Sequence, residues 1–445
     1  MTQWQGALHK LRAVAQFYGK PLSVLFITLP ALATLSLIVI FGRTVPFWDE
    51  WELVPILQHV HAGHWILSDF WQQHNGHRLL FPTIALVLLI QLSHWNMLFL
   101  CLVSFAIAAA AYSLVYATLR LGGNTNRVPF GVGFLSALVW FSPAQVENWL
   151  WAWQLEWFMN VLGVMLVVYG LARAQTLGIG KRAVTFILVG AVLAEYSLGN
   201  GMLLWPLAIL AVSYLRTSWV KLSAIIAAAA VSTGIYFMGY TNASESSQHL
   251  ALTHPLQFSD YLLTYLGSPL VHSHKAAFAL GLVLVVAFMM LCAYLLVQHR
   301  ERFRQAIPWI VLGLYSMGTA VLTGLARLNF GVGEALASRY ITMSSLLLIS
   351  TLMICFVAHT ELRILLKRGY VPLRNVAVTV LACVLLTSAT WGVHAFHTRY
   401  YMLRTTHICT SVPDPTDACL STTYPVPALA RPRLQYLKSL HWAGY

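Results

Sequence analysis

Long apolar runs, repeated along almost the whole chain, constrain the fold more than any other feature of this sequence. Several of them approach the roughly 20 residues that an α-helix needs to cross the hydrocarbon core of a bilayer. The 445-residue chain is 58% hydrophobic and 9% charged, whereas soluble domains carry roughly 25% charged residues. A soluble core could not cover this much apolar surface. The sequence therefore predicts an all-α, polytopic transmembrane helical bundle.

The positions of the apolar runs predict about eleven spans. The fifth and sixth are short and meet at Leu198-Gly199-Asn200-Gly201, so we expect them to form a shallow pair. A further run, residues 79–92, is too short to cross comfortably and favours a helix at the membrane interface. The predicted spans are residues 23–42, 96–119, 129–144, 153–171, 183–196, 201–215, 222–240, 276–297, 307–325, 340–359 and 376–394.

The charges predict how the chain is oriented. The net charge of +13 comes from lysines and arginines spread over short loops, which is typical of orientation signals and not of nucleic-acid binding. With a cytoplasmic N-terminus most of these bases lie inside and most acids lie outside, as in a multi-pass protein of the bacterial inner (plasma) membrane. The apolar run at residues 21–42 is longer than a signal-peptide core and lacks a small-x-small cleavage site, which predicts an uncleaved span. This layout makes residues 1–394 one transmembrane domain and residues 395–445 an extracytoplasmic C-terminal tail.

Two of the six cysteines, Cys409 and Cys419, fall in that tail. An oxidising compartment would permit a disulfide between them, and the sequence leaves open whether it forms. The other four lie in predicted spans, where cysteine acts as a small apolar residue.

The first outer loop, residues 43–95, carries the candidate catalytic residues. It opens with Phe47-Trp48-Asp49-Glu50-Trp51-Glu52 directly after the first span. A carboxylate at the membrane surface can accept a proton from a hydroxyl group or hold a divalent cation. The alternative is that these acids only begin an interfacial helix. The same loop contains a polar cluster that we interpret as substrate contacts, namely His74, Asn75, His77 and Arg78.

Further polar residues lie at the predicted outer ends of later spans. Ionisable groups at membrane depth are costly and usually face a protein-lined cavity, and an arginine at such a position can bind a phosphate through its planar fork. The alternatives are a tryptophan-rich interface belt and a snorkelling arginine. The substrate-binding candidates in this group are Glu147, Glu156, Glu195, Asn200, Arg327, Arg339 and Tyr340.

This constellation resembles the GT-C superfamily of membrane glycosyltransferases, and distantly its protein mannosyltransferase and aminoarabinose transferase group. The acidic pair Asp49-Glu50, the two expected surface helices at residues 51–65 and 79–92, a second acidic site at Glu147 or Glu156, and Arg339-Tyr340 match features of that superfamily in type and position. The chain departs from many mannosyltransferase-like members by having His77-Arg78-Leu79-Leu80-Phe81-Pro82 where they carry Pro-Pro-Leu. The subfamily therefore stays open.

The resemblance implies a glycosyltransferase that moves a hexosyl or pentosyl group from a polyprenyl-phosphate donor to a glycan, lipid or protein acceptor of the cell envelope. It implies that Asp49 acts as general base or orients the acceptor. It also implies that Arg339, with Arg78 or Arg327, stabilises the leaving phosphate. Membrane lipids are the remaining expected partners. The cofactor stays unknown, because some members of the superfamily need a divalent cation and others do not.

Two other functions remain open from the sequence. A transporter or flippase of lipid-linked sugar would be expected to show repeated halves and broken helices near mid-bilayer. A polymerase or ligase of O-antigen type would use a large late outer loop, and residues 239–275 contain His249, His254, His272 and His274. The His-x-His pairs at 59–61 and 272–274 invite a zinc site, but zinc needs three or four convergent ligands, so we predict no zinc site at these pairs.

Overall fold

The computed structural model describes residues 27–43, 45–122, 130–242 and 245–445. The protein is built almost entirely of α-helices, joined by short 3-10 turns and one small hairpin of strands β1 (Gln73–His74) and β2 (His77–Arg78). The helices are α1 Ile27–Phe41, α2 Leu53–His61, α3 Leu67–Trp71, α4 Leu80–Ser93, α5 Met97–Gly122, α6 Phe130–Trp140, α7 Val146–Leu150, α8 Leu155–Leu177, α9 Lys181–Glu195, α10 Leu204–Tyr214, α11 Trp219–Phe237, α12 Glu245–Thr253, α13 Pro255–Gly267, α14 His274–Gln298, α15 Arg300–Arg327, α16 Ile341–Val357, α17 His359–Leu366, α18 Tyr370–Ser411, α19 Asp417–Leu420 and α20 Pro427–Leu440. The 3-10 turns are Trp48–Glu52, Ala152–Gln154, Gly199–Leu203, Leu328–Phe330, Val332–Leu336, Ser338–Tyr340 and Lys367–Gly369.

Seven of the described helical segments are long and apolar enough to cross a membrane, and the chain is a multi-pass membrane protein. They coincide with seven of the eleven predicted spans and are Met97–Leu121, Ala152–Leu177, Trp219–Phe237, His274–Gln298, Arg300–Phe330, Ser338–Val357 and Val371–Ser411.

The predicted count of eleven spans is not confirmed, because the other four runs form shorter helices. Helix α6 has 11 residues, α9 has 15 and α10 has 11. At 1.5 Å per residue even α9 reaches only about 22 Å, against a hydrocarbon core of about 30 Å. The first predicted span, residues 23–42, gives helix α1, Ile27–Phe41. The first residues of that predicted span lie outside the described ranges. The expected helix at residues 79–92 is present as α4, with 14 residues.

The core of the bundle is formed by helices α8 and α16, which are mostly buried, while α14 and α18 expose most of their apolar surface. Glycine allows the tightest helix contacts. A Cβ added to Gly163 on α8 would lie 2.5 Å from the carbonyl oxygen of Gly190 on α9, so only a hydrogen atom fits between the two backbones. Small residues at such crossings are typical of helix packing in membranes.

The first loop is folded against the ends of the long helices. Its hairpin is closed by Asn75-Gly76, and both residues have positive φ angles, 49° and 79°. An Asn-Gly pair with two positive φ angles is the preferred two-residue connection between antiparallel strands. The hairpin is tied to the chain after α11, because the hydroxyl of Tyr240 donates to the carbonyl of Gly76 at 3.0 Å.

The C-terminal region packs onto the same loop. Helix α18 is 42 residues long, about 63 Å at 1.5 Å per residue, which exceeds the thickness of a bilayer. After it the chain turns back, and the backbone N–H of Trp48 donates to the carbonyl of Thr423 at 2.7 Å. Cys409 and Cys419 form a disulfide, with a Cα–Cα distance of 5.8 Å. Segment 421–426 is thereby held beside the acidic stretch that follows α1.

Candidate active site

A cavity of about 980 Å³ lies where the first loop, the stretch 147–157, the turn 198–202, the ends of α11 and α15, and the C-terminal region meet. Its wall is rich in tryptophan and tyrosine and carries ten acidic, arginine or histidine side chains. These are Asp49, Glu52, His74, His77, Glu147, Glu156, Arg327, Glu334, Arg339 and Arg399. A large concave site with aromatic walls and a few converging polar groups is the usual form of a small-molecule site.

An imidazole between two carboxylates forms one side of this cavity. His74 Nε2 lies 3.5 Å from Asp49 and Nδ1 lies 3.0 Å from Glu52, and the ring lies 4.7 Å from the ring of Trp153, centroid to centroid. Burial alone would lower the pKa of His74, but the hydrogen bonds and charges of the two carboxylates raise it to about 10. Burial would raise the pKa of Glu52, but the hydrogen bond and charge of His74 hold it below its usual value. His74 is therefore an imidazolium at neutral pH.

His77, on the second strand of the hairpin, has the opposite character. Burial lowers its pKa to about 4, and the charges of Arg327 and His74 add to that effect. The ring is therefore neutral at pH 7. It lies against Gly199, where an added Cβ would come within 2.7 Å of His77 Nδ1 and of the Tyr236 hydroxyl. The third predicted contact of the hairpin, Asn75, lies in the cavity wall, and its side-chain amide lies 2.8 Å from His74 Nε2. An imidazolium at His74 requires the oxygen of this amide to face that nitrogen, because both ring nitrogens then donate.

Two of the residues predicted in the first loop have structural partners instead of facing the cavity. Glu50 is 1% exposed, and its carboxylate accepts from the backbone N–H groups of Phe47 at 2.7 Å and Trp153 at 3.1 Å. Burial raises the pKa of Glu50 to about 8 in spite of these bonds.

Arg78 is the second of these residues. Its guanidinium donates to the carbonyls of Trp71, Tyr236 and Met238. It also lies 4.7 Å over the Trp71 ring. Arg78 thus joins the hairpin to the end of α11, and its donors are used for that purpose.

Arg339 is in the cavity wall and is engaged by two acids. Its guanidinium contacts Glu147 at 3.3 Å and also pairs with Glu334. Glu147 in turn accepts from the Ser338 hydroxyl at 2.8 Å and from the Arg339 backbone N–H at 3.1 Å. Tyr340 donates to Glu334 at 3.2 Å. These contacts join the second acidic stretch to the start of α16.

The other predicted residues divide between the cavity and the bundle. Glu156, Asn200 and Arg327 line the cavity. Asn200 donates to the Thr319 hydroxyl at 3.0 Å, and Arg327 lies 5.7 Å over the ring of Phe330. Glu195 is fully buried and accepts from Trp205 Nε1 at 2.9 Å and from the hydroxyls of Ser232 and Thr233, so it links α9, α10 and α11.

Several cavity residues were not among the sequence predictions. Arg399 of α18 lies in the wall, as do Ser421, Thr422 and Tyr424 of the C-terminal segment, and the Tyr424 hydroxyl donates to Glu52 at 3.3 Å. No local pattern distinguishes these residues, because they reach the cavity only through contacts across the whole length of the chain. Glu334 was predictable from the sequence, because it is an acid five residues before Arg339.

The histidines that kept a ligase-type function open lie in other contacts. His274 pairs with Asp260 at 2.9 Å, His272 stacks on Trp391 with the ring centroids 3.4 Å apart, and His254 lies 2.9 Å from the Thr253 hydroxyl. The residues of the stretch 239–275 that line the cavity are Tyr240, Asn242 and Gln248.

The described residues contain no group of three or more histidine, cysteine or acidic side chains arranged to hold a metal ion. At the position where Asp49 and Glu52 converge, a protonated His74 already supplies a positive charge. The imidazole of His74 thus occupies the space between these two carboxylates.

No protein-family model and no curated protein matches the chain. A crystal structure of the oligosaccharyltransferase of Archaeoglobus fulgidus, in complex with zinc and sulfate, is similar with a TM-score of 0.40 and 12% sequence identity. The similarity covers 87% of this chain and 56% of that one, so the chain spans little more than half the length of the neighbour. A likeness of this size leaves the function to be argued from the cavity.

Proposed function

We propose that the protein is a GT-C-type membrane glycosyltransferase, which moves a sugar from a polyprenyl-phosphate donor to a cell-envelope acceptor at the outer face of the bacterial inner membrane. The observation that supports it most is the single cavity in which Asp49 and Glu156 meet Arg327 and Arg339, although these residues come from distant parts of the chain. The cavity adjoins the ends of the long apolar helices α11 and α15. A lipid-linked substrate could place its chain along those helices and its head group in the cavity.

Asp49 is the proposed catalytic base. It lies in the cavity wall, and His74 contacts one of its carboxylate oxygens at 3.5 Å. An acceptor hydroxyl bound at the other oxygen would lose its proton to Asp49 as its own oxygen bonds to the anomeric carbon of the sugar. The bond from that carbon to the phosphate oxygen breaks in the same step, and the phosphate leaves with the electron pair. General-base assistance of this kind contributes typically about 10²–10⁴-fold to a rate.

The departing phosphate needs charge stabilisation more than it needs a proton. Arg327 and Arg339 line the cavity and are the proposed cations. They differ in how much charge they offer, because Arg339 is shared between two carboxylates whereas Arg327 contacts an aromatic ring. We therefore assign the larger contribution to Arg327, and to Arg339 the positioning of Glu147 and Glu334.

The rest of the wall suits a sugar. Trp153, Trp157 and Tyr240 present apolar rings, while Asn75 and Gln154 present amides that can bind hydroxyl groups. Such a combination of aromatic surface and a few polar groups orients a ligand and excludes water. Glu156, which is 8% exposed, is placed to accept from a hydroxyl of the bound sugar.

The test is transfer of labelled sugar from a polyprenyl-phosphate donor in membranes that contain the wild-type protein or Asp49→Asn. We expect the variant to lose about 10²–10⁴-fold in rate. Asp260→Asn is the matched control, because Asp260 pairs with His274 outside the cavity. A wild-type rate of sugar transfer in Asp49→Asn would show that Asp49 is not the catalytic base. No transfer by the wild type from any polyprenyl-phosphate sugar would remove the proposed function.

A further inference from the structure

Arg399 of α18 is the cavity residue whose chemistry the proposed function leaves unused. Its guanidinium carbon lies 4.0 Å from the centroid of the Phe47 ring, and Nη1 lies 4.0 Å from the Met402 sulfur. The Nε and Nη2 atoms are buried and have no hydrogen-bond partner among the described residues. The ring covers one face of the guanidinium, and Arg399 lies in the cavity wall.

Two other arginines of the region have partners for their guanidinium groups. Arg78 donates to three backbone carbonyls, and Arg339 pairs with two carboxylates. In the described parts of the chain Arg399 has no acid within ion-pair distance. Burying a guanidinium costs free energy unless its N–H groups are bonded. Two unmet donors at a cavity wall therefore indicate that a bound group completes the site.

The charges around Arg399 indicate that the bound group is an anion. Glu50 and Glu147 act on Arg399 from a distance, and Arg339 repels it. Glu147 is already paired with Arg339. Glu50 uses its two carboxylate oxygens for the backbone N–H groups of Phe47 and Trp153 and forms no ion pair with Arg399. Among the described residues, the guanidinium of Arg399 in the cavity wall thus has no acid paired with it.

We propose that Arg399 binds a phosphate group, with Nε and Nη2 donating to two of its oxygens. Arginine recognises phosphate by this bidentate geometry, and these are the two nitrogens that lack partners. This assignment rests on the proposed function, in which the phosphate is that of the lipid donor. A free phosphate would satisfy the same chemistry. The α18 helix and the C-terminal region then contribute directly to donor binding, beside the first loop that contributes Asp49.

The test is direct binding to the full chain in nanodiscs, with polyprenyl monophosphate, the unphosphorylated polyprenol and inorganic phosphate as separate probes. We expect the wild type to bind polyprenyl monophosphate and Arg399→Gln to bind it at least tenfold more weakly. Arg399→Lys should be intermediate, because it keeps the charge and loses the fork. Arg404→Gln is the matched control, because Arg404 is exposed on the same helix.

Unchanged binding by a folded Arg399→Gln, or equal binding of the polyprenol and its phosphate, would overturn the proposal. If Arg399→Gln does not fold, Arg399→Lys is the variant that tests the proposal. Wild-type affinity of Arg399→Lys for polyprenyl monophosphate would count against the bidentate contact. Loss of polyprenyl phosphate binding alone supports the lipid as the source, whereas parallel loss of inorganic phosphate binding supports a general phosphate site. Binding is independent of transfer: phosphate bound through Arg399 without any sugar transfer would refute only the proposed function. Transfer with a wild-type donor KM in Arg399→Gln would refute only this assignment.

Discussion

Neutralising the imidazolium of His74 should change how the stability of the protein depends on pH. His74 lies 3.5 Å from Asp49 and 3.0 Å from Glu52, and its pKa is raised to about 10. In the unfolded chain a histidine titrates near 6.5. Because the folded-state pKa is the higher one, the stabilisation is fully present below pH 6.5 and is lost as the pH rises through 10.

The size of the effect follows from the two pKa values. One pKa unit corresponds to about 1.36 kcal/mol, so the cluster stabilises the folded state by about 4 kcal/mol at pH 7 relative to pH values well above 10. About 3 kcal/mol of this should disappear between pH 7 and pH 10. The side chain of His74 is 16% exposed and that of Asp49 is 22% exposed. Glu52 is 40% exposed, so solvent screening weakens its share of the interaction and about 4 kcal/mol is an upper value.

The assay is thermal unfolding of the purified protein, followed by tryptophan fluorescence at pH 7, 8, 9 and 10. We expect His74→Gln to be less stable than the wild type at pH 7 and the difference to close as the pH approaches 10. His64→Gln is the control, because His64 is exposed. Lysines and tyrosines titrate in all three proteins, so the informative quantity is the difference between variant and wild type. A constant difference across this range would refute the assignment of His74 as an imidazolium.

Three further variants test parts of the structure. Glu50→Gln can accept only one of the two backbone hydrogen bonds that the carboxylate accepts, so it should lose about 1–3 kcal/mol in unfolding measurements while transfer per folded molecule stays close to wild type. Gly201→Ala would place a Cβ 2.1 Å from a backbone carbonyl carbon and should sharply reduce folded protein on size-exclusion chromatography, whereas Gly131→Ala, with nothing within 4 Å, should not. Replacing Cys409 and Cys419 by serine opens a loop of sequence separation 10, so it should cost about 2–3 kcal/mol and raise the KM for donor by loosening a cavity wall. Unchanged stability and KM would contradict the last prediction.

The long apolar runs were sufficient to predict the membrane helices, because hydropathy over about 20 residues is a local property of the chain. The shorter apolar runs made the predicted number of spans larger than the number of long apolar helices in the described residues. In the run 129–144, helix α6 ends at Trp140, three residues before Pro143, and proline disfavours a helical conformation in the residue before it. In the run 201–215 the first residues form the 3-10 turn Gly199–Leu203, so the α-helix begins only at Leu204.

The candidate site was predictable in residue type but not in the partner of each residue. Asp49, Glu147 and Arg339 stand next to predicted span ends and do line the cavity. Glu195 and Arg78 stand in similar positions, yet they bind hydroxyls or backbone carbonyls inside the fold. Nothing in a local pattern separates a charge that faces a cavity from one that satisfies a buried donor or acceptor.

The contribution of the C-terminal region could not have been predicted from the sequence pattern. Tyr424 reaches Glu52 across 372 positions of the chain, and such a contact depends on the path of every helix between them. The Asn75-Gly76 turn is the opposite case. It is a strong local hairpin signal, and it positions His74 and His77 at the cavity.

The most direct measurement is an experimental structure of the protein with a polyprenyl-phosphate sugar bound. We expect the phosphate to lie within 4 Å of the guanidinium groups of Arg399 or Arg327, and the anomeric carbon to lie on the side of the sugar that faces Asp49. A donor bound outside the cavity, or with its sugar directed away from Asp49, would contradict the account.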